Sequence, residues 1–157
     1  MPLSCTVKQL VNAPAEVVFA AASDFANAAS RITGITKMEM LTTGPVGGGT
    51  RVRETRVMFG KQATETMEVI DFKPGRSYTL GATSHGCTYR TTLSVRPVAG
   101  GSEVELDFIG TPLTVSRKVM AALMGWMINK ACTKAVRQDL ADLKASVERE
   151  SAGARST

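Results

Sequence analysis

The segment Ser116–Arg149, with the sequence SRKVMAALMGWMINKACTKAVRQDLADLKASVER, decides the fold. It is rich in Leu, Met, Ala, Lys and Glu, and it contains no proline. These residue types favour the α-helix, and proline is its strongest breaker. The segment therefore predicts one C-terminal helix of about thirty residues.

The two halves of this predicted helix carry different patterns. Apolar residues recur at helical spacing along its length, at Val119, Leu123, Trp126, Met127, Val136, Leu140, Leu143 and Val147. The C-terminal half is amphipathic. The polar side of the helix comprises Lys130, Lys134, Arg137, Asp139, Asp142, Lys144 and Glu148.

The first half, residues 119–128, is apolar on every side. It is much shorter than the roughly 20 residues that a membrane-spanning helix needs, so stable membrane insertion is not expected. Two compatible interpretations remain. One is burial beneath a sheet together with a homodimer contact, and the other is a flexible methionine-rich lid over a ligand pocket.

The chain before this helix predicts a strand, two short helices and a six-stranded meander. Alternating apolar residues separated by glycine-containing turns indicate successive hairpins, not crossover helices. The first strand covers residues 6–11, and the helices cover 14–23 and 24–30. The later strands lie near 35–41, 50–59, 62–72, 77–84, 87–96 and 103–110. The expected fold is α+β, with a curved seven-stranded antiparallel sheet around the C-terminal helix.

The hairpin around His85 and Gly86 defines the inner face of this sheet. Because side chains alternate along a strand, a two-residue turn there places one set of residues on one face. That set is Tyr78, Leu80, Ala82, Ser84, Cys87, Tyr89, Thr91, Leu93 and Val95. The next strand adds Val104, Leu106 and Phe108, so this face is predicted to be dry and the opposite one wet.

The hairpin around Gly60 and Lys61 places charges on the same inner face. With Phe59 opposite Gln62, the inward residues are Val52, Glu54, Arg56, Met58, Ala63, Glu65, Met67 and Val69, and Arg56 lies opposite Glu65. Buried charges must be paired or face water. The group is either a polar anchor for a ligand in an apolar cavity or a structural ion pair. A one-residue slip would replace Glu54 and Arg56 by Arg53 and Thr55.

The order of elements resembles the START-like helix-grip superfamily, which includes polyketide cyclase/dehydrase and birch-pollen-allergen-like proteins. The resemblance covers about residues 4–149. It rests on Val11-Asn12-Ala13-Pro14-Ala15-Glu16-Val17-Val18-Phe19, on Gly47-Gly48-Gly49-Thr50-Arg51, on Asp71-Phe72-Lys73-Pro74-Gly75-Arg76 and on the terminal helix. It implies an internal cavity between sheet and helix that takes lipids, sterols or polyketides, in carriers as well as enzymes.

The leading functional expectation is therefore binding of a small hydrophobic molecule. The expected ligand-binding residues are Glu54, Arg56, Met58, Glu65, Met67, Tyr78, Leu80, Cys87, Tyr89, Leu106, Phe108, Leu123, Trp126 and Met127. The alternative is a polyketide cyclase or dehydrase, in which Arg56, Glu54 and Glu65 are the catalytic candidates.

Several other classes are disfavoured. The net charge of +5 is spread along the chain, which argues against nucleic acid as a partner. Three cysteines without close spacing suit reduced thiols better than a metal site, and His85 lies in a turn without a nucleophile at diagnostic spacing. No cofactor motif is present.

The N-terminal residues lack a signal-peptide pattern, so a cytoplasmic location is expected. Residues 1–150 are expected to form one ligand-binding domain, and residues 151–157, which are small and polar, a disordered tail.

Overall fold

The computed structural model describes residues 3–58 and 60–155. Across these residues the elements follow the predicted order. They are β1 (Leu3–Val11), α1 (Ala15–Ala22), a 3₁₀ turn (Phe25–Asn27), α2 (Ala28–Arg31), β2 (Ile35–Met40), β3 (Arg51–Met58), β4 (Lys61–Lys73), β5 (Ser77–Ser84), β6 (Cys87–Val98), β7 (Gly101–Pro112) and α3 (Val115–Arg155).

The strands form one antiparallel sheet in the order β1-β7-β6-β5-β4-β3-β2. Consecutive strands from β2 to β7 are neighbours, as expected for a meander, and β1 returns to pair with β7 from Leu3↔Gly110 to Val11↔Ser102. This curved sheet and the long C-terminal helix confirm the helix-grip α+β fold.

The β5–β6 hairpin has the predicted two-residue turn. His85 and Gly86 both have positive φ, at 49° and 76°, as a type I′ turn requires. Ser84 pairs with Cys87 and Tyr78 with Leu93. The predicted inner face of this hairpin is therefore confirmed.

The β3–β4 hairpin has a different register from the predicted one. Met58 pairs with Lys61, so Arg56 lies opposite Ala63 and Glu54 opposite Glu65. The predicted pairing of Phe59 with Gln62 involves a residue outside the described ones. The hairpin turns one residue earlier in the chain than predicted, which shifts each pairing by two residues. An even shift leaves every side chain on its face and changes only its partners.

The C-terminal half of α3 packs into the core. Leu140, Leu143 and Val147 are buried together with residues of the sheet and of α1. Polar contacts add to this packing: Thr33 donates through its backbone N–H and its hydroxyl to Asp142, at 3.0 and 2.7 Å. The backbone N–H of Asn12 donates to Glu148 at 2.8 Å. These contacts tie the helix to both ends of the N-terminal helical region.

The end of α3 lies further along the chain than predicted. The helix continues from the predicted end at Arg149 through Arg155, so the segment predicted to be a disordered tail is helical up to that residue. Ser156 and Thr157 lie outside the described residues.

One side of the first half of α3 is exposed, so the interpretation that this half is buried beneath the sheet holds only for the side that lines the cavity. Leu123 and Trp126 are 72% and 70% exposed, and Val119 and Met127 are about half exposed. The sheet covers a different side of the helix at this level, so these apolar side chains point away from the protein interior.

Gly101 gives a test of the turn that starts β7. Its φ is +152°, and a Cβ there would lie 2.2 Å from the backbone carbonyl oxygen of Val11. We expect Gly101→Ala to lower the free energy of unfolding by at least about 2 kcal/mol, because both strain and a backbone clash oppose it. Gly48→Ala, where a Cβ meets nothing within 4 Å, is the matched control. Urea unfolding measures both, and equal stabilities would contradict the assignment.

Candidate functional site

A cavity of about 520 Å³ lies between the inner face of the sheet and α3. Side chains from β1 to β7, from the short helices and from α3 line it, and most of them are apolar or aromatic. Its volume falls in the range of small-molecule binding sites.

Most of the predicted ligand-binding residues line this cavity. Those that do so are Glu54, Arg56, Met58, Glu65, Met67, Tyr78, Leu80, Cys87, Tyr89, Leu106 and Phe108. Leu123, Trp126 and Met127 do not, because they lie on the exposed side of α3. The helix instead contributes residues spaced by three and four positions, mainly Ile128, Cys132, Ala135, Val136 and Asp139.

Arg56 is the centre of an ion cluster in the cavity wall. Its Nε donates to Glu54 Oε1 at 2.6 Å, and its Nη2 donates to Asp139 Oδ2 at 3.0 Å. Glu54 precedes it by two residues on the same face of β3, whereas Asp139 comes from α3. The predicted partner, Glu65, is not part of this cluster. These three inward-facing side chains therefore form a structural ion cluster, and their formal charges sum to −1.

Burial shifts the pKa values of Arg56 and Asp139 in opposite directions. It lowers the pKa of Arg56, but the charges of Glu54 and Asp139 outweigh it and hold that pKa above its ordinary value. Burial also raises the pKa of Asp139, and the attraction of Arg56 only partly opposes this effect. Asp139 is therefore a carboxyl group that takes up a proton more readily than one in water.

Sequence reasoning missed Asp139 because it was counted with the polar side of the helix. Its spacing gave a signal: it follows Cys132 by seven residues and Val136 by three. These positions lie on one helical face, and that face lines the cavity.

A second polar group lies across β4, β5 and β6 near their hairpin ends. The hydroxyl of Ser84 donates to Glu65 Oε1 at 2.7 Å, and Cys87 pairs with Ser84 across β5 and β6. Tyr89 stacks on Phe108 with ring centroids 5.9 Å apart. Burial and a hydrogen bond with Cys87 raise the pKa of Tyr89 to about 12, so its phenol is neutral at physiological pH.

Tyr78 and its aromatic neighbours close the other end of the cavity. The Tyr78 hydroxyl donates to the backbone carbonyl of Ala22 at 3.2 Å. Its ring lies edge-on to Phe25 at 5.1 Å. Burial raises the pKa of Tyr78, so it too is a neutral hydroxyl that fixes α1 against the sheet.

Two further arginines line the cavity and were not predicted. Arg31 donates to Ser146 at 2.9 Å and to Glu150 at 2.8 Å, and its Nε is buried without a hydrogen-bond partner among the described residues. The side chain of Arg117 lies against Gly86 at the tip of the β5–β6 hairpin. Both come from helix ends, where the sequence pattern carries no strand alternation that would orient them.

The charges that line the cavity cancel. Within the described residues the positively charged lining residues are Arg31, Arg56 and Arg117, and the negatively charged ones are Glu54, Glu65 and Asp139. The wall thus combines a predominantly apolar surface with a formal charge of zero.

The three cysteines are free. Burial raises the pKa of Cys5 and of Cys132, which keeps both as thiols and makes them poor nucleophiles. In residues 3–58 and 60–155, His, Cys, Asp and Glu side chains do not come together in threes as a metal site would require. Over the same residues no helix has the length and hydrophobicity to cross a bilayer.

A family described as polyketide cyclase / dehydrase and lipid transport matches residues 2–148. The chain belongs to this family. The predicted resemblance to the START-like superfamily is thereby confirmed. No curated protein matches the sequence.

Several solved structures share the fold at low sequence identity. TTHA0849 from Thermus thermophilus is 18% identical with a TM-score of 0.77, and the match covers 96% of this chain and 99% of that one. The Zhui aromatase/cyclase from Streptomyces sp. R1128 is 18% identical with a TM-score of 0.76, covering 95% and 94%. A START superfamily protein from Mycobacterium smegmatis is 16% identical with a TM-score of 0.75, covering 94% and 97%.

Removal of Arg56 tests the ion cluster. We expect Arg56→Met to lower the free energy of unfolding at pH 7 by roughly 3 kcal/mol, because Glu54 and Asp139 are left close together without a cation. The loss should shrink as the pH falls through the pKa of Asp139, since that pKa is raised in the folded state and the neutral carboxyl carries no penalty.

The matched control for this test is Arg53→Met. Arg53 lies on the same strand but faces outward, with its side chain 45% exposed in an ion pair with Glu39, so its loss should cost less than about 1 kcal/mol. Adding Asp139→Asn to Arg56→Met should restore part of the stability. Unfolding by urea at pH 5 and pH 7 measures all four proteins, and a pH-independent loss would contradict the cluster.

Proposed function

We propose that the protein reversibly binds a small, uncharged and mainly hydrophobic molecule, of lipid, sterol or polyketide type, in the cavity between sheet and α3. The observation that carries the proposal is the combination of a 520 Å³ space, a largely apolar wall and lining charges that cancel. A net ionic ligand would find no opposite net charge there, whereas apolar surface gains free energy on leaving water.

The polar groups of the wall suit a few ligand oxygen atoms. Arg56 is already held by two carboxylates, so it is poorly placed to bind a ligand anion. The hydroxyl of Tyr89 is a donor that a carbonyl or hydroxyl oxygen can use. A neutral ligand with one polar oxygen therefore fits this wall better than a carboxylate does.

The family description supports this proposal at a coarser level, since it joins lipid transport to polyketide chemistry. The structural neighbours at under 20% identity support the fold alone. The choice of an uncharged ligand rests on the side chains of this chain.

A cavity-filling substitution tests binding directly. Ala135 is half-buried and lines the cavity, so Ala135→Trp should occupy space that the ligand needs. We expect the neutral probe N-phenyl-1-naphthylamine to bind the native protein saturably, and at least about tenfold more weakly to Ala135→Trp, because steric exclusion removes its contacts. Fluorescence titration of the probe gives both affinities.

Ala145→Trp is the matched control, because Ala145 lies on the same helix but is exposed and does not line the cavity. It should bind the probe like the native protein. Equal loss in both variants, or no saturable binding in the native protein, would refute the proposal. Native mass spectrometry of the purified protein then searches for a retained ligand.

A second candidate is a polyketide cyclase or dehydrase that uses the same cavity. Asp139 favours it, because a carboxyl with a raised pKa inside a cavity suits general acid or base catalysis. Its Arg56 partner would control which protonation state is present.

Turnover of a poly-β-ketone thioester mimic, followed by mass spectrometry, tests this candidate. If the enzyme function is correct, Arg56→Ala should reduce turnover by about 100-fold or more, as expected when acid–base chemistry loses its organising charge. Arg53→Ala, on the outer face, should leave turnover intact. Unchanged turnover in Arg56→Ala would exclude this mechanism.

A further inference from the structure

The exposed half of α3 presents an apolar face that the cavity does not use. We define this apolar face of α3 as Val115, Val119, Leu123, Trp126 and Met127. Four of these residues follow one another at intervals of four and so form one row along the helix, and Trp126 lies beside that row. Val115, Leu123 and Trp126 are each at least 70% exposed, which is unusual for side chains of this size on a monomer.

The charges around this face have one sign. Between Phe108 and Gln138 the sequence contains no acidic residue and five basic ones, at Arg117, Lys118, Lys130, Lys134 and Arg137. Among the described residues none of these five has a carboxylate within ion-pair distance. Lys130 and Lys134 continue the helical row that begins at Trp126.

We propose that this face docks reversibly on the surface of an anionic lipid membrane, with the apolar row at the level of the lipid headgroups. Helices that lie in a membrane interface combine Leu and Trp on one side with Lys and Arg beside them. The basic residues would contact lipid phosphates, and Trp126 would occupy the interfacial position that tryptophan favours.

The same observations disfavour a second copy of this chain as the occupant. An isologous contact repeats the same patch on both partners, so it would bring the lysines and arginines of this segment against one another. Like charges across an interface oppose association.

The position of the face relates it to the cavity. Arg117 and Met120 lie in the same helical turns as the apolar row and also line the cavity. Docking would therefore bring one side of the cavity next to the lipid phase. The docking itself does not depend on what the cavity binds, so its test is separate from that of the proposed function.

Trp126 makes the test direct, because it is the single tryptophan of the chain. With vesicles of equal phosphatidylglycerol and phosphatidylcholine, we expect its emission to shift to shorter wavelength and the protein to sediment with the vesicles. With phosphatidylcholine alone, or at about 0.5 M NaCl, both effects should be largely lost, because screening weakens the attraction of exposed charges.

One variant tests the apolar row and another tests the basic residues beside it. Leu123→Glu, and separately the pair Lys130→Glu and Lys134→Glu, should each weaken vesicle binding at least tenfold. The pair Arg76→Glu and Arg90→Glu changes the net charge equally at exposed sites on the sheet side, and Leu10→Glu replaces an exposed apolar residue on β1. Both controls should bind like the native protein, and circular dichroism checks that every variant is folded.

Three outcomes would overturn the proposal: native protein that does not bind anionic vesicles, binding that survives both α3 variants, or binding that the controls lose equally. Light scattering adds a fourth. A dimer that forms with rising concentration, disappears in Leu123→Glu and forms without vesicle binding would assign the face to a second copy.

Discussion

The burial of Leu140, Leu143 and Val147 beneath the sheet is the constraint on which the rest of the structure depends. At 1.5 Å per residue, the 41 residues of α3 extend for about 60 Å. The 13 residues of β4, the longest described strand, extend for roughly 43 Å. The sheet cannot cover the whole helix, so packing holds the C-terminal half while the first half projects across and beyond the cavity.

Asp139 marks the boundary between these two parts of α3. It directly precedes the buried Leu140, and it points to Arg56 on β3. A charge at such a boundary is tolerated because it is compensated, and removing one partner leaves the others uncompensated. The cluster therefore fixes the side of the helix that faces the cavity, and it also occupies the hydrogen-bonding groups of Arg56.

The faces of the strands could be predicted from sequence because alternation along a strand is strict. His85 and Gly86 supplied turn chemistry that determines the β5–β6 register. At the β3–β4 turn, Gly60 is compatible with more than one position within a two-residue loop, so the predicted pairing is two residues off while the predicted faces are right. The local pattern cannot distinguish two registers that differ by two residues, because both place the same side chains on the same face.

The surroundings of the helix were harder to predict than the faces of the strands. Helical periodicity shows which residues share one side of the helix, but it does not show what covers that side. Leu123 and Trp126 have the composition of buried residues, yet they face outward. Tertiary contacts determine which side of the helix faces the protein interior. The contact of Thr33 with Asp142 is an example; it joins residues 109 positions apart and has no local signature in the sequence.

Small side chains on the inward face of α3 contribute to the space of the cavity. Leu140, Leu143 and Val147 pack in the core, the two leucines also bordering the cavity, and further along the cavity the small residues Ala121, Cys132 and Ala135 alternate with larger ones such as Ile128. Larger residues at these positions would fill the space, and protein interiors are normally filled to near crystal density. An empty apolar space forfeits dispersion contacts and lowers stability. The same helix thus packs fully at one end and leaves space at the other, a division that favours an occupant in the cavity over imperfect packing.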